Sequence, residues 1–331
     1  MSILKALRLS LAAMLAVSMW PTQAQASHFY TNFYDQDRYY WDLYSYYWYW
    51  NNGTRDAFDG WGYAVINGSR FRPTSYPYYY REYSSRGARS ANNPSYGGFR
   101  VQARVYVPSS GHADSRNYGR MIWNLTNTSG STRTLNFRIY GNLGSDGSTY
   151  VTNTSDGNTS WSTSDTWLTT DDYSNGGGDP SLSFIYRNNS GRAPSSVSRS
   201  RDNLYIDWNG VRVAGNATVT FMLFTAQNPN RNASYAEARR IVTLPNEVLA
   251  NLTAAEKRQL VNFGTGAAVQ SQTLTVSDNT VPALRATWRF SQRATARAEL
   301  YENSAIPAGQ TACTGGTRIA TNTFAANTNF A

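Results

Sequence analysis

The chain has 331 residues, 30 Lys and Arg against 21 Asp and Glu, a formal net charge of +9, and 14% aromatic residues. That length holds one large or two modest domains, and a single cysteine, Cys313, excludes an internal disulfide. With His28 and His112 the only histidines, a Cys/His zinc site or a histidine general base has almost nothing to build on.

The N-terminus has the organisation of an export signal. Lys5 and Arg8 come first, residues 9–19 are apolar, and Ala24-Gln25-Ala26 provides small residues for cleavage. The apolar run is shorter than the ~20 residues of a membrane span. The expectation is a signal peptide over 1–26 and a mature chain secreted to the extracellular space, cell surface or periplasm. No other segment is long and apolar enough for a transmembrane helix. Beyond Ala26 the basic residues are arginines apart from Lys257. Arginine suits carboxylate, phosphate or sulfate partners, but these arginines are scattered, and export argues against nucleic acid.

Residues 28–50 read HFYTNFYDQDRYYWDLYSYYWYW, and Asn51-Asn52-Gly53 ends the run as a turn. A strand over 61–66 sits between turns at Asp59-Gly60 and Asn67-Gly68, so this part reads as a β-meander. The surplus rings have two readings: sugar-stacking or adhesive surface, or filling between two sheets. Residues 70–94 carry a second aromatic knot, Tyr76-Pro77-Tyr78-Tyr79-Tyr80, and their Pro, Ser and Gly density reads as a loop excursion.

From Phe99 the alternation is clean. Phe99, Val101, Ala103, Val105 and Val107 share one face, and Arg100, Gln102, Arg104 and Tyr106 the other. Further strands are expected over 120–125, 133–140, 182–186, 204–208 and 218–224. Residues 141–180 read as loops with short strands near 148–151 and 166–169. They hold Asp146, Asp156, Asp165, Asp171, Asp172 and Asp179, with Trp161 and Trp167 between them. Helices are expected over 234–244 and 245–252, and Thr253-Ala-Ala-Glu256 fits a capping box ahead of 257–263. The pattern is an all-β antiparallel sandwich with a short helical segment near 234–263 closing a domain over 27–264. Residues 265–331 form a small β module, with alternating stretches over 284–290 and 294–300 as paired strands. The module is expected either to dock on the main domain or to lack a strand that a partner supplies, with self-association through the aromatic surface or the C-terminal strands.

Several motifs between Phe99 and Pro180 occur in a recognisable order: VYVP, Asn124-Leu-Thr-Asn127, NLGSD, TSDGN, DTW, TDD and GDP. The later FMLF strand and Leu252-Thr-Ala-Ala-Glu-Lys fit the same arrangement. Residues 35–264 thereby resemble an uncharacterised β-sandwich region that recurs in large secreted and cell-surface bacterial proteins. The resemblance implies fold and export and carries over no catalytic residue.

The favoured function is non-enzymatic: adhesion or binding of a polysaccharide or cell-envelope component through exposed Tyr and Trp. The candidate aromatic surface is Tyr46, Trp48, Trp50, Tyr78, Tyr79, Trp161 and Trp167. Asp171, Asp172 and Asp179 are the candidate Ca2+ ligands, because a cation between adjacent carboxylates relieves their repulsion. No EF-hand order or calcium β-roll repeat supports them. The enzyme alternative is a glycoside hydrolase with a carboxylate pair within 146–179; no residue is assigned a catalytic role, since glutamate is scarce and no hydrolase motif is present. The second alternative is an outer-membrane β-barrel, which alternation and aromatics also suit.

Overall fold

The computed structural model describes residues 29–109, 117–264, 270–278, 281–290, 296–302 and 317–324. The expected signal peptide over 1–26, together with His28, His112 and Cys313, lies outside them. The protein is an all-β sandwich of two antiparallel sheets with helices on one side.

The first sheet contains β1 (Tyr30–Tyr34), β2 (Tyr40–Tyr44), β3 (Tyr49–Gly53), β4 (Phe58–Ile66), β11 (Arg133–Leu143), β16 (Asn203–Val213) and β15 (Ser196–Ser200), in that lateral order, with β5 (Ser69–Arg70) beside β4. The second runs β12 (Tyr150–Thr154), β13 (Trp167–Asp171), β14 (Ser181–Ile185), β17 (Thr218–Asn228), β10 (Tyr118–Asn127), β9 (Phe99–Tyr106), β7 (Gly87–Ser90) and β6 (Tyr79–Glu82), with β8 (Ser95–Tyr96) beside β9. Neither sheet closes on itself, so the β-barrel alternative is overturned. Among the described residues no helix is long and apolar enough to cross a membrane.

Period-2 alternation explains the first sheet. In β11 Leu135, Phe137 and Ile139 are buried while Asn136, Arg138 and Tyr140 face outward. The inward phases of both sheets interleave into one core, including Trp41, Trp50, Trp61, Trp123, Phe137, Phe184, Trp208 and Phe221. Trp61 Nε1 donates to Thr225 Oγ1 across this core at 2.8 Å, satisfying an indole that burial would otherwise leave unpaired. Gly119 makes the crowding possible: a Cβ there would lie 2.7 Å from Trp41 and 2.9 Å from Trp50.

The second sheet is buried on both faces along its central strands, β13, β14, β17 and β10. Its outer side, including Tyr118, Ile122, Met222 and Phe224, packs against Ala238, Ile241, Val248, Leu249, Leu260 and Phe263 of the helical segment. This is why FMLF in β17 shows no alternation. The segment comprises α1 (Arg231–Val242), a 3-10 helix (Asn246–Leu249) and α2 (Ala254–Gln259). The Asn230 side chain caps α1 by accepting from Ala233 N at 3.0 Å. The capping box of α2 is present: Glu256 N donates to Thr253 Oγ1 at 3.1 Å and Thr253 N to Glu256 Oε2 at 2.8 Å. The helix expected over 257–263 ends at Gln259, because Val261 N instead donates to Thr220 O and Asn262 fixes itself to Met222 on β17.

Two other expectations change. The stretch read as a loop over 70–94 contains the β6–β7 hairpin, whose turn holds Tyr83, Ser84 and Ser85 at positive φ. In the C-terminal region β18 (Gln270–Asp278) pairs with β19 (Val281–Phe290), and β20 (Ala296–Glu302) with β21 (Thr317–Phe324). The stretches expected to pair with each other over 284–290 and 294–300 thus belong to different hairpins, and neither hairpin joins a main sheet.

Candidate functional site: a tyrosine row on the open sheet face

Because helices cover the centre of the second sheet, the outer face of the first is the broader sheet face left open to solvent. A row of tyrosines crosses it at one level: Tyr30, Tyr44, Tyr49, Tyr63, Tyr140 and Tyr205, from β1, β2, β3, β4, β11 and β16. Register places Tyr30 opposite Tyr44, Tyr44 opposite Tyr49, Tyr63 opposite Tyr140, and Tyr140 opposite Tyr205. Successive ring centroids are 4.8, 5.3, 4.1, 5.1 and 5.9 Å apart. The last two pairs are stacked, at 23° and 4°. Rings packed against their neighbours in this way leave no free stacking platform along the inner row, whose polar groups are phenol hydroxyls.

Arginines are built into the row. The Arg70 guanidinium lies 3.5 Å from the Tyr63 ring centre and 4.2 Å from that of Tyr47. Its Nε is buried with no hydrogen-bond partner among the described residues. Arg72 Nη1 donates to the Tyr46 hydroxyl at 2.5 Å. Arg138 is held by both carboxylate oxygens of Asp207 and lies 5.7 Å from the Tyr205 ring. Burial raises the pKa values of Tyr44, Tyr49 and Tyr63, so these hydroxyls stay protonated; that of the buried Tyr49 already donates to Asn51 Oδ1 at 3.1 Å.

At the β1 end the row widens into an exposed cluster. Phe29 stacks on Tyr78 at 5.3 Å, and Tyr46 meets Tyr78 and Tyr47 edge-on. Phe29, Tyr30, Tyr34 and Tyr76 are 45–62% exposed, supplying ring faces that the inner row lacks.

The sequence-predicted aromatic residues divide. Tyr46 and Tyr78 belong to this cluster, and Trp161 is half-buried in a cleft at the opposite end. Trp48, Trp50, Tyr79 and Trp167 are buried, and this corrects their expected place on the surface. The tight turn between β2 and β3, where Trp48 has φ +57°, puts Trp48 and Trp50 into the core with Trp41. Trp167 faces the helical layer. The sequence reading missed Tyr30, Tyr44, Tyr49, Tyr63, Tyr140 and Tyr205. The signal that finds them is phase: Tyr140 alternates with Phe137 and Ile139, and Tyr205 with Leu204 and Ile206, on the outward side of otherwise ordinary strands.

The cleft around Trp161 has a volume of about 340 Å³ and is lined by Tyr150, Val151, Thr159, Trp161, Ser198 and Arg199. It lies where β12 and β15, edge strands of the two sheets, approach. Trp161 Nε1 donates to the Tyr186 hydroxyl at 2.9 Å, which fixes the indole. Arg199 Nη1 donates to the carbonyls of Thr149 and Arg201 at 2.8 and 2.5 Å, fixing the guanidinium without neutralising it.

The aspartates of 141–180 serve local structure. Asp171 is buried and receives Arg231 Nε at 2.8 Å, Ser181 Oγ at 2.7 Å, and the amides of Asp172 and Gly176. Arg231 thus occupies the cation position expected at Asp171. Asp172 accepts from Ser174 N, while Asp179 is raised in pKa, by burial first. Asp171, Asp172 and Asp179 do not converge, and no group of three or more metal-ligating side chains forms among the described residues. Asp165 accepts from Ser155 Oγ, Ser162 N and Ser162 Oγ, and Asp156 from Thr154 and Asn158. These contacts close loops.

One carboxylate is electrostatically distinct. Asp35 is buried below the β1–β2 turn, and burial pushes its pKa up to about 7 despite hydrogen bonds from Trp41 Nε1 and the Tyr39 and Asp37 amides.

The fold and this face define an all-β sandwich with an aromatic, arginine-studded outer sheet. No family model matches the chain, and no curated protein does. Among solved structures it is similar to a polysaccharide lyase, at 9% identity and TM-score 0.34, over 54% of this chain and 27% of that one. It is also similar to a structure described as an aldose 1-epimerase from Klebsiella pneumoniae subsp. pneumoniae MGH 78578, at 11% identity and TM-score 0.31, over 59% of this chain and 66% of that one. The chain therefore spans about a quarter of the lyase and under two thirds, by the thinnest margin, of the second structure. Likeness at this level carries no argument about activity.

Proposed function

We propose that this is an exported, non-enzymatic carbohydrate-binding protein that holds a polysaccharide of the cell surface or its surroundings along the tyrosine row. The observation that carries the reading is the continuity of phenol groups across six strands on the open face. Polysaccharides offer repeated hydroxyls and apolar ring faces. The inner row supplies hydroxyl partners, and the exposed rings at the β1 end supply apolar contact. Arg70 and Arg72 add fixed donors beside the rings. The buried Asp165 and Asp171 are engaged by internal donors, which removes them from the pair that a glycosidase would require.

Affinity electrophoresis of the mature protein in gels containing soluble polysaccharides tests this. At least one polymer retards the protein, and Tyr78→Ala and Tyr140→Ala each reduce the retardation. Unchanged mobility of the wild type in every neutral and acidic polymer overturns the proposal. Release of reducing ends from a bound polymer would replace binding with catalysis.

A further inference from the structure

We propose that the cleft between β12 and β15 is a terminal subsite, seating one uronic-acid unit of a chain whose remainder lies along the tyrosine row. The inference rests on the carbohydrate reading above and names the sugar class and the place where the chain ends.

Position is the first argument. Ser198 on β15 stands directly opposite Tyr205 in the sheet register and also lines the cleft. The row therefore runs Tyr30, Tyr44, Tyr49, Tyr63, Tyr140, Tyr205, Ser198, and its last member also lines the cavity. A ligand leaving Tyr205 meets Ser198 and then the wall formed by Trp161.

Shape and chemistry supply the second argument. About 340 Å³ falls at the lower end of small-molecule pockets, suited to a sugar unit rather than a polymer segment. Trp161 provides the apolar wall, and its indole nitrogen is already committed to Tyr186, so the ring is fixed before any ligand arrives. Thr159 and Ser198 offer hydroxyls. Arg199 is the only charged residue lining the cleft, and its described contacts are to carbonyl oxygens, which leave the positive charge uncompensated. A sugar carboxylate answers that charge and can take the guanidinium's remaining N–H groups.

The test is calorimetric titration of the mature full-length protein with trisaccharides of galacturonate, glucuronate and mannuronate, with maltotriose as neutral probe, alongside the parent polyuronates. At least one acidic trisaccharide binds. Arg199→Gln and Trp161→Ala each weaken it about tenfold or more, while Trp161→Phe retains most of the affinity. Tyr140→Ala weakens the polymer more than the trisaccharide. Unchanged trisaccharide affinity in both cleft variants, with polymer binding still lost in Tyr140→Ala, overturns the subsite and leaves the row reading standing. Equal binding of maltotriose overturns the acidic class. Absence of binding by every saccharide overturns both.

Discussion

Tyr140 on β11 and Tyr205 on β16 stand opposite each other with rings 4° from parallel and centroids 5.9 Å apart. The rings lie parallel but displaced side by side, so removing one exposes its neighbour's flank while leaving the core beneath intact. Cross-strand pairs of this kind contribute about 0.2–1 kcal/mol to stability. Tyr140→Ala is expected to lower the melting temperature only slightly and to weaken polysaccharide binding about tenfold, or ~1.4 kcal/mol. Circular dichroism and calorimetric titration on the same sample separate the two effects.

Asp35 makes stability depend on pH. Its folded-state pKa of about 7 lies above the ordinary 3.8, so between these values the native protein holds a proton that the unfolded chain has released. The contribution of this group is then greatest below about pH 4 and falls as pH rises to 7, by on the order of 4 kcal/mol at most. In Asp35→Asn that component disappears, whatever the variant's absolute stability. Urea midpoints measured from pH 4 to 8 should slope downward in the wild type more steeply than in the variant. Parallel slopes would remove Asp35 as their source.

Arg231 neutralises a carboxylate that has no solvent contact through its side chain. Arg231→Ala leaves the Asp171 charge buried with only neutral donors, at a cost of about 3 kcal/mol. Arg231→Ala combined with Asp171→Asn should recover part of the loss, which chemical denaturation can read. Because the guanidinium already fills this position, EDTA and millimolar calcium should give the same melting temperature. A rise of several degrees with calcium would show a cation site elsewhere.

Gly119 is the point where β10 passes two indoles. A methyl group within 3 Å of both Trp41 and Trp50 must displace one of them. Gly119→Ala is expected to cost about 1–3 kcal/mol, with a change in tryptophan emission marking the displaced ring. An unchanged spectrum and midpoint would mean that the indoles shift freely.

Much of the architecture was written in local pattern. Alternation gave β9, the Thr253–Glu256 spacing gave the start of α2, and the change to helix formers marked the helical segment, expected on the end of the sandwich and lying instead on the outer face of the second sheet. Orientation of the rings was harder. The run over 39–50 looks uniform, yet its turn at Ser45–Trp48 reverses the chain, and the larger indoles of Trp41, Trp48 and Trp50 go inward while Tyr40, Tyr44, Tyr46 and Tyr47 stay near the surface. Burial competition between tryptophan and tyrosine decided this, and reading the segment as one aromatic surface overlooked it. The tyrosine row itself joins residues from 30 to 205, so it exists only through strand register. Phase within each strand marks a tyrosine as outward, but only the pairing of strands lines the six up.

The twist of a β-sheet gives the row a handed shape. Neighbouring strands rotate by about 20–25°, so the five steps from Tyr30 to Tyr205 turn it through roughly 100–125°. Its hydroxyls therefore follow a screw and do not lie in one plane. A flat crystalline fibre can touch only a few of them at a time, whereas a single hydrated strand can wind along the whole path. If the row binds polysaccharide as proposed, this geometry favours loose, soluble polymer over packed fibre before any individual hydrogen bond is considered.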